Sequence, residues 1–315
     1  MQRLLTFPLA VRLIAGFVVV LLSADCLIAA ERVLTGHQLF VRQWTPEEGL
    51  GPVFNARSCV ACHFQGGIGG GGSNEHNVQL LSVDPPQNLT ALERAKFVKR
   101  IQAVHPSFSV ASPDIVFHKF NVDSTYDQWR RRVLGFVAPK RLNKLMQARF
   151  LRKKENQLLQ RPVTRLENRG VTMIMSQRNT PALFGAGELD RVPETLLQEI
   201  AEQQAKSQSG VSGRFTGKFG WRGQTASLED FVLGACANEL GLQANGHRAA
   251  SDPMCRDDTP VNDELTEFEC HKLVQLVASL PAPKRRVPRS SQAAALVTNG
   301  ERLFHTVGCT ECHVH

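Results

Sequence analysis

Two short segments carry the same Cys-x-x-Cys-His pattern, at residues 59–63 and 309–313. In this pattern the two thiols attach haem covalently, and the adjacent imidazole binds the iron as the proximal ligand. The alternatives are a thioredoxin-like redox pair or half of a zinc site, and both leave the His after each pair unexplained. We therefore predict two covalently bound haem c groups. The attachment residues are Cys59, Cys62, Cys309 and Cys312, and the iron ligands are His63 and His313.

A short amphipathic helical pattern precedes each motif, with a Gly-x-x-Leu-Phe run at residues 36–40 and again at 300–304. A helix followed by Cys-x-x-Cys-His is similar to the opening of a cytochrome c domain. We therefore predict a mainly α fold of cytochrome-c-like haem domains with long loop-rich insertions. Between the motifs, helical periodicity favours helices at 142–159, 194–207, 227–240 and 264–279, and extended segments at 78–83 and 161–164. The Gly-rich run at 66–72 predicts a loop.

The chain organisation follows from two punctuating segments. A basic leader with an apolar run at 13–22 and small residues near 30 is typical of a signal peptide. A Pro-rich basic segment marks a linker. We predict a signal peptide at 1–30, a first haem domain at 31–280, a linker at 281–292 and the start of a second haem domain at 293–315. So short a second domain cannot bury its own core, so we expect it to be truncated. The alternative is a second haem packed entirely against the first domain.

The leader predicts export to the periplasm. The apolar run falls short of the ~20 residues that span a bilayer, which predicts no stable membrane span, with a membrane anchor as the alternative. The 315 residues include 37 Lys and Arg against 29 Asp and Glu, a net charge of +8. Nucleic acid is a poor partner for an exported protein. This charge is either a solvated basic face or a docking surface for an acidic partner.

Further segments resemble the bacterial dihaem cytochrome c peroxidase superfamily, and most of all its thiol-oxidoreductase-like branch. Beside the haem motifs, the segments that carry the resemblance are 49–58, the Arg-Asn-Thr-Pro-Ala-Leu-Phe-Gly run at 178–185, and the blocks at 219–224, 227–230 and 239–241. The chain departs from the family pattern at Arg222, Gln224, Phe231 and Leu240. Those departures make peroxidase activity a weaker implication than the dihaem assignment.

The resemblance implies roles for three residues. Trp221 matches an aromatic that relays electrons between the haems, and Glu239 matches the acid that assists O–O cleavage. His76 falls near the position of a distal iron ligand. The alternatives are a core aromatic for Trp221, a helix end for Glu239 and an exposed imidazole for His76. Met173 and Met175 are further ligand candidates, with core packing as their alternative.

These features predict an exported dihaem oxidoreductase that reduces peroxide, or another small oxidant, with electrons from a small cytochrome or cupredoxin. The alternatives are a dihaem electron-transfer cytochrome without a catalytic distal site, and oxidation of an organic or thiol substrate. Of the eight cysteines, four belong to the haem motifs and Cys26 lies in the leader, so three remain: Cys236, Cys255 and Cys270. In an oxidising compartment we expect two of them to pair, and a Cys236–Cys255 bond would close a polar loop, although the sequence leaves the pairing open.

Overall fold

The computed structural model describes residues 34–84, 86–110, 113–137, 164–168, 171–206, 210, 212–254 and 263–313. The helices and strands belong to one compact unit, Thr35–His315. The predicted signal peptide at 1–30, the predicted helix at 142–159 and Cys255 lie outside the described residues. The domain boundaries therefore stay predictions.

The helices are α1 (Gly36–Val41), α2 (Cys59–Cys62), α3 (Ala91–Gln102), α4 (Ser124–Val137), α5 (Ala186–Asp190), α6 (Glu194–Ala205), α7 (Leu228–Ala235), α8 (Glu267–Ser279) and α9 (Ser291–Thr306). Short 3-10 turns lie at Pro46–Glu48, Asn74–His76 and Cys309–Glu311, and a π-helical turn at Cys236–Leu240. The strands are β1 (Val53–Phe54), β2 (Val78–Asp84), β3 (Asp114–Val116), β4 (Phe120–Asn121), β5 (Thr164–Asn168) and β6 (Val171–Arg178).

A four-stranded antiparallel sheet occupies the middle of the chain, in the order β3-β2-β6-β5. Strand β2 pairs with β6 so that Leu81 lies opposite Met175 and Val83 opposite Met173. Directly opposed residues share a face of a sheet, so these four side chains form one apolar surface. Met173 is 1% exposed and belongs to the core, which is its predicted packing role.

Helices α3 and α4 contribute the other side of this core. Phe97 and Ile101 from α3 pack with Tyr126 and Trp129 from α4 in the same buried cluster as the sheet residues. A capping box at Thr90 satisfies the first backbone N–H groups of α3, which sets where that helix begins.

The prediction of a mainly α fold of cytochrome-c-like haem domains with loop-rich insertions is therefore wrong. The region between the motifs holds a four-stranded sheet and a buried hydrophobic cluster, where the prediction placed loop-rich insertions. Val171 and Met173 are buried on either side of the half-buried Thr172, which is a strand period. However, β2, one of the two strands that pair with β6, lies about ninety positions earlier in the chain. A strand pattern in one segment is a weak signal when its pairing partner is distant in sequence.

Several local predictions are confirmed. The segment 78–83 forms most of β2, and the helices expected at 194–207 and 264–279 are α6 and α8. The helix expected at 227–240 is α7 followed by the π-helical turn. No helix of the described residues is both long and apolar enough to cross a membrane.

Candidate functional site

The first Cys-x-x-Cys-His motif forms a single helical turn. Ser58 caps it by accepting a hydrogen bond from the Ala61 amide at 3.2 Å. The backbone N–H of His63 donates to the Cys59 carbonyl at 3.0 Å, which continues the turn as far as the imidazole. Phe40 from α1 packs against that imidazole, with ring centroids 6.3 Å apart. Both thiols and the imidazole therefore project from one compact turn.

A backbone carbonyl determines how the His63 imidazole is used. Its Nδ1 lies 3.2 Å from the Gly70 carbonyl oxygen, which can only accept, so Nδ1 carries the proton. Burial lowers the pKa of His63, against the hydrogen bonds to the Gly70 and Pro181 carbonyls, which raise it. A neutral imidazole protonated at Nδ1 presents the lone pair at Nε2. Iron ligation requires this tautomer, so the residues fit a haem at this position.

The Gly-rich loop is folded tightly around the same turn. Gly69, in the left-handed region at φ +84, donates to the His63 carbonyl and accepts from the Leu183 amide at 2.7 Å. Gly72 donates to the Thr180 carbonyl at 3.1 Å. The segment 178–185, flagged by sequence only through a resemblance, therefore braces the loop that orients the imidazole.

Burial disfavours the thiolate form of both thiols of the first motif. Burial raises the pKa of Cys59 to about 12, with a smaller contribution from Cys62. Burial also raises the pKa of Cys62 to about 11, and the charge of Glu239 adds to this. Thioredoxin-like sites instead lower the pKa of the attacking thiol, so this geometry does not favour a redox pair. Within the described part of the chain, no group of three or more His, Cys, Asp or Glu could hold a metal ion.

Glu239 lies on the π-helical turn that follows α7. Three successive carbonyls of this turn accept hydrogen bonds from two other segments, 51–55 and His118, and these bonds hold the turn in place. They are His118 Nε2 to Asn238 O at 2.7 Å, Asn55 N to Glu239 O at 2.7 Å and Gly51 N to Leu240 O at 3.0 Å.

The carboxyl group of Glu239 is half-buried and close to the first motif. Its Oε2 accepts a hydrogen bond from Asn55 Nδ2 at 2.6 Å. Burial raises the pKa of Glu239, while the Asn55 hydrogen bond and the charge of Lys119 lower it. Because Glu239 in turn raises the pKa of Cys62, the structure brings this acid to the first motif. A carboxyl group with a raised pKa is suited to accept and return a proton.

The other two residues singled out by resemblance differ in their surroundings. His76 ends a 3-10 turn, with Nδ1 2.8 Å from the Ser73 hydroxyl and its ring edge-on to Phe64 at 5.6 Å. It therefore lies beside the residue that follows His63. Trp221 is 44% exposed on a turn closed by the Phe219–Thr225 bridge, so it is not a core aromatic. Its relay role stays a prediction.

The second motif, at the other end of the described chain, forms a 3-10 turn where the first forms an α-helical turn. His313 N donates to the Cys309 carbonyl at 3.0 Å, and Phe304 packs against the His313 ring with centroids 5.9 Å apart. Cys312 and His313 are exposed. The two motifs therefore share these two contacts and differ in what surrounds them.

Of the three remaining cysteines, Cys236 and Cys270 are buried free thiols. Burial raises the pKa of Cys236 well above its ordinary value, and the neighbouring Cys59 and Cys270 raise it further. Sequence reasoning missed this proximity of Cys236 to Cys59 of the first motif. The predicted Cys236–Cys255 bond involves a residue outside the described ranges.

No protein-family model, curated protein or solved structure matches this chain. The assignment to the dihaem cytochrome c peroxidase superfamily therefore stays a prediction, based on the motifs quoted above.

Proposed function

We propose that this chain is an exported dihaem c-type oxidoreductase that reduces peroxide with electrons from a small cytochrome or cupredoxin. The observation that carries the proposal is the pairing of an oriented imidazole and a carboxyl group at one Cys-x-x-Cys turn. His63 supplies the imidazole, with Nδ1 held by a carbonyl. Glu239 supplies the carboxyl group, whose charge acts on Cys62.

In this proposal Cys59 and Cys62 hold the first haem through thioether bonds, and Nε2 of His63 binds its iron. When bound, the haem supplies one-electron chemistry and an iron centre at which peroxide is reduced. The protein orients the ligand through the Gly70 carbonyl, and bonds of this kind fix both the tautomer and the ring direction.

Glu239 handles the proton. Cleavage of the O–O bond to give water needs the proton of one peroxide oxygen to reach the other. Because burial raises the pKa of Glu239, its carboxylate is a better proton acceptor than an exposed glutamate. General acid–base help of this kind contributes about 10²–10⁴-fold. Two electrons, delivered one at a time by the donor protein, and two protons convert each hydrogen peroxide into two water molecules.

The second motif suits the entry of electrons. Cys309, Cys312 and His313 would hold the second haem, and the exposure of Cys312 and His313 supports access by a donor protein. Trp221 is the candidate for electron relay between the two haems, because its position matches that of the relay aromatic in the family that the sequence resembles. Cys309→Ser with Cys312→Ser should then block reduction by the donor protein while the first haem remains attached.

The experiment that tests the proposal is Glu239→Gln in the haem-loaded full chain. Gln keeps the size of the side chain and removes its acid–base function, so peroxide turnover should fall at least about 10²-fold. Glu229→Gln is the matched control, because Glu229 is an exposed carboxylate on the preceding helix α7. Turnover that is unchanged in Glu239→Gln would remove this residue from the mechanism.

A dihaem electron-transfer cytochrome without a catalytic distal site is the second candidate. The observation that favours it is the position of His76, whose ring lies against Phe64 beside the first motif. An imidazole as a second axial ligand would leave no open position for peroxide. Two low-spin haems that ignore peroxide and carbon monoxide would support this candidate, whereas a high-spin ferric signal would support the peroxidase.

A further inference from the structure

Asn55 is a buried polar side chain that the sequence assigns to no site. It follows β1, is 5% exposed, and lies four residues before the first attachment thiol. Its backbone N–H donates to the Glu239 carbonyl at 2.7 Å, and its Nδ2 donates to Glu239 Oε2 at 2.6 Å. Its Oδ1 accepts from the Lys119 amide at 3.1 Å. Asn55 thus donates hydrogen bonds to both the backbone and the carboxyl group of Glu239.

The Lys119 amide determines which way the Asn55 side chain faces. A backbone N–H can only donate, so the atom of Asn55 beside it is the oxygen, and the NH₂ group faces Glu239. The Lys119 amide is itself held in place, because β4 follows directly and pairs with β1 through Phe54 and Phe120. The donor that meets Glu239 is therefore supported by strand pairing.

This arrangement distinguishes the two oxygens of the Glu239 carboxyl group. Oε2 faces an N–H hydrogen, so a neutral Glu239 carries its proton on Oε1. Besides Asn55, Lys119 acts on Glu239 and its charge lowers the pKa of Glu239, while Glu239 in turn raises the pKa of Cys62. The His118 imidazole donates to the adjoining Asn238 carbonyl and holds the turn rather than the carboxyl group.

We propose that Asn55 is a positioning residue for Glu239, which it orients so that Oε1 is the atom that exchanges a proton with the substrate. The inference rests on the proposed function, in which Glu239 moves the proton of peroxide. It goes beyond that function because it assigns the orientation of the acid to one amide and its proton exchange to one oxygen.

Two variants test it in the haem-loaded full chain. Asn55→Leu keeps the approximate size and removes the donor, so peroxide turnover should fall by about 10- to 100-fold with KM little changed, as expected for a misplaced catalytic group. The infrared C=O band of protonated Glu239, assigned by its loss in Glu239→Gln, should persist to higher pH. The reason is that the hydrogen bond from Asn55 lowers the pKa of Glu239 in the unaltered protein.

Asn55→Asp is nearly isosteric and keeps the acceptor for Lys119, so it guards against a folding defect in the Leu variant. Its carboxyl group donates to Glu239 only when protonated. Turnover should therefore recover towards acid pH and fall towards alkaline pH, which a merely structural role would not produce. Asn299→Asp is the control, because that exposed side chain accepts from Arg302 through Oδ1, an atom that Asp retains, and it should leave both readouts unchanged.

The two hypotheses fail in different ways. A Glu239 band that titrates at the same pH in Asn55→Leu and Asn55→Asp as in the unaltered protein overturns the positioning proposal, whatever happens to turnover. A shifted band in a protein that carries both haems but does not reduce peroxide supports the contact between Asn55 and Glu239 and overturns the proposed function.

Discussion

The two Cys-x-x-Cys-His motifs share a backbone hydrogen bond and a contact between the His and a Phe, but they lie in different surroundings. Each follows a helix that ends near a Leu-Phe pair, and in each the His amide donates to the carbonyl of the first Cys at 3.0 Å. Around the first motif, α8 packs so closely on α1 that a side chain at Gly36 would collide with the Lys272 carbonyl. Gly300, at the matching position of α9, has nothing within 4 Å of where its Cβ would lie.

The comparison separates the features that depend on the motif and its preceding helix from those that depend on distant segments of the chain. The backbone hydrogen bond and the contact between imidazole and Phe recur in both copies, so they come from local sequence. The carbonyl on Nδ1 of His63 and the carboxyl group of Glu239 come from segments seven and more than 170 residues away. A haem site with directed proton chemistry therefore needs the packed surroundings of the first motif.

The largest expected effect is the loss of the first attachment site. Cys59→Ser with Cys62→Ser should remove one covalent haem of two and abolish peroxide turnover, because the oriented imidazole and the acid are at this site. Cys309→Ser with Cys312→Ser should also leave one haem, yet retain the peroxide-binding spectrum. Haem content by mass spectrometry and haem staining after denaturation measures the first difference. Equal loss of the peroxide-binding spectrum in both double variants would contradict the assignment of peroxide reduction to the first motif and electron entry to the second.

Acid should destabilise the fold through two buried histidines, His105 and His118. Burial lowers the pKa of both His105 and His118 to about 4, and His118 lowers that of His105 further. The unfolded chain, in which histidine titrates near its usual ~6.5, then binds more protons than the folded chain. The free energy of unfolding should fall as the pH drops from about 6.5 to 4. Urea titrations at a series of pH values measure this dependence. The free energy of unfolding should vary less steeply with pH in His118→Gln, and as steeply as in the unaltered protein in His313→Asn.

The matched glycines test the packing difference directly. Gly36→Ala should lower the free energy of unfolding by about 1–3 kcal/mol, because the added methyl group forces α1 away from the α8 backbone. Gly300→Ala should raise the helix stability of α9 by about 0.5–1 kcal/mol, since alanine is the better helix former and meets no neighbour. Guanidinium unfolding and far-ultraviolet circular dichroism measure the pair. Equal destabilisation by both would mean that the face of α9 is covered too.

The smallest expected effect separates the helix caps of the two regions. Ser58→Ala should cost about 1–2 kcal/mol, because its hydroxyl accepts from Ala61 and also from Gln43 Nε2. Ser290→Ala should lower the free energy of unfolding by about 0.5–1 kcal/mol, because the Ser290 hydroxyl accepts a hydrogen bond from the Ala293 amide. Thermal unfolding of the two variants side by side compares them. A larger loss in Ser290→Ala would contradict the greater integration of the first motif.

Sequence reasoning was reliable where the signal was local. The helix expected at 227–240 begins at a cap in which Ser227 accepts from the Asp230 amide, and the helices α6 and α8 begin and end within three residues of their predicted limits. It failed for the sheet, because β2 and β6 pair across a long stretch of chain and neither strand is decisive alone. It reached Glu239 only through a resemblance, and it missed Asn55 because a buried asparagine has no characteristic spacing.

By itself, the sequence determined the two Cys-x-x-Cys-His turns, the Leu-Phe helices before them and the Gly-rich loop, because each depends on residues close along the chain. Only the tertiary structure decided which imidazole nitrogen carries the proton, which acid meets the first motif and which amide orients that acid. Those contacts join Gly70 to His63 and Asn55 to Glu239 through hydrogen bonds that exist only once the loop, β1 and the π-helical turn are packed together. Hydrogen bonds are short-ranged and directional, so their partners are set by the packed backbone and not by the order of residues.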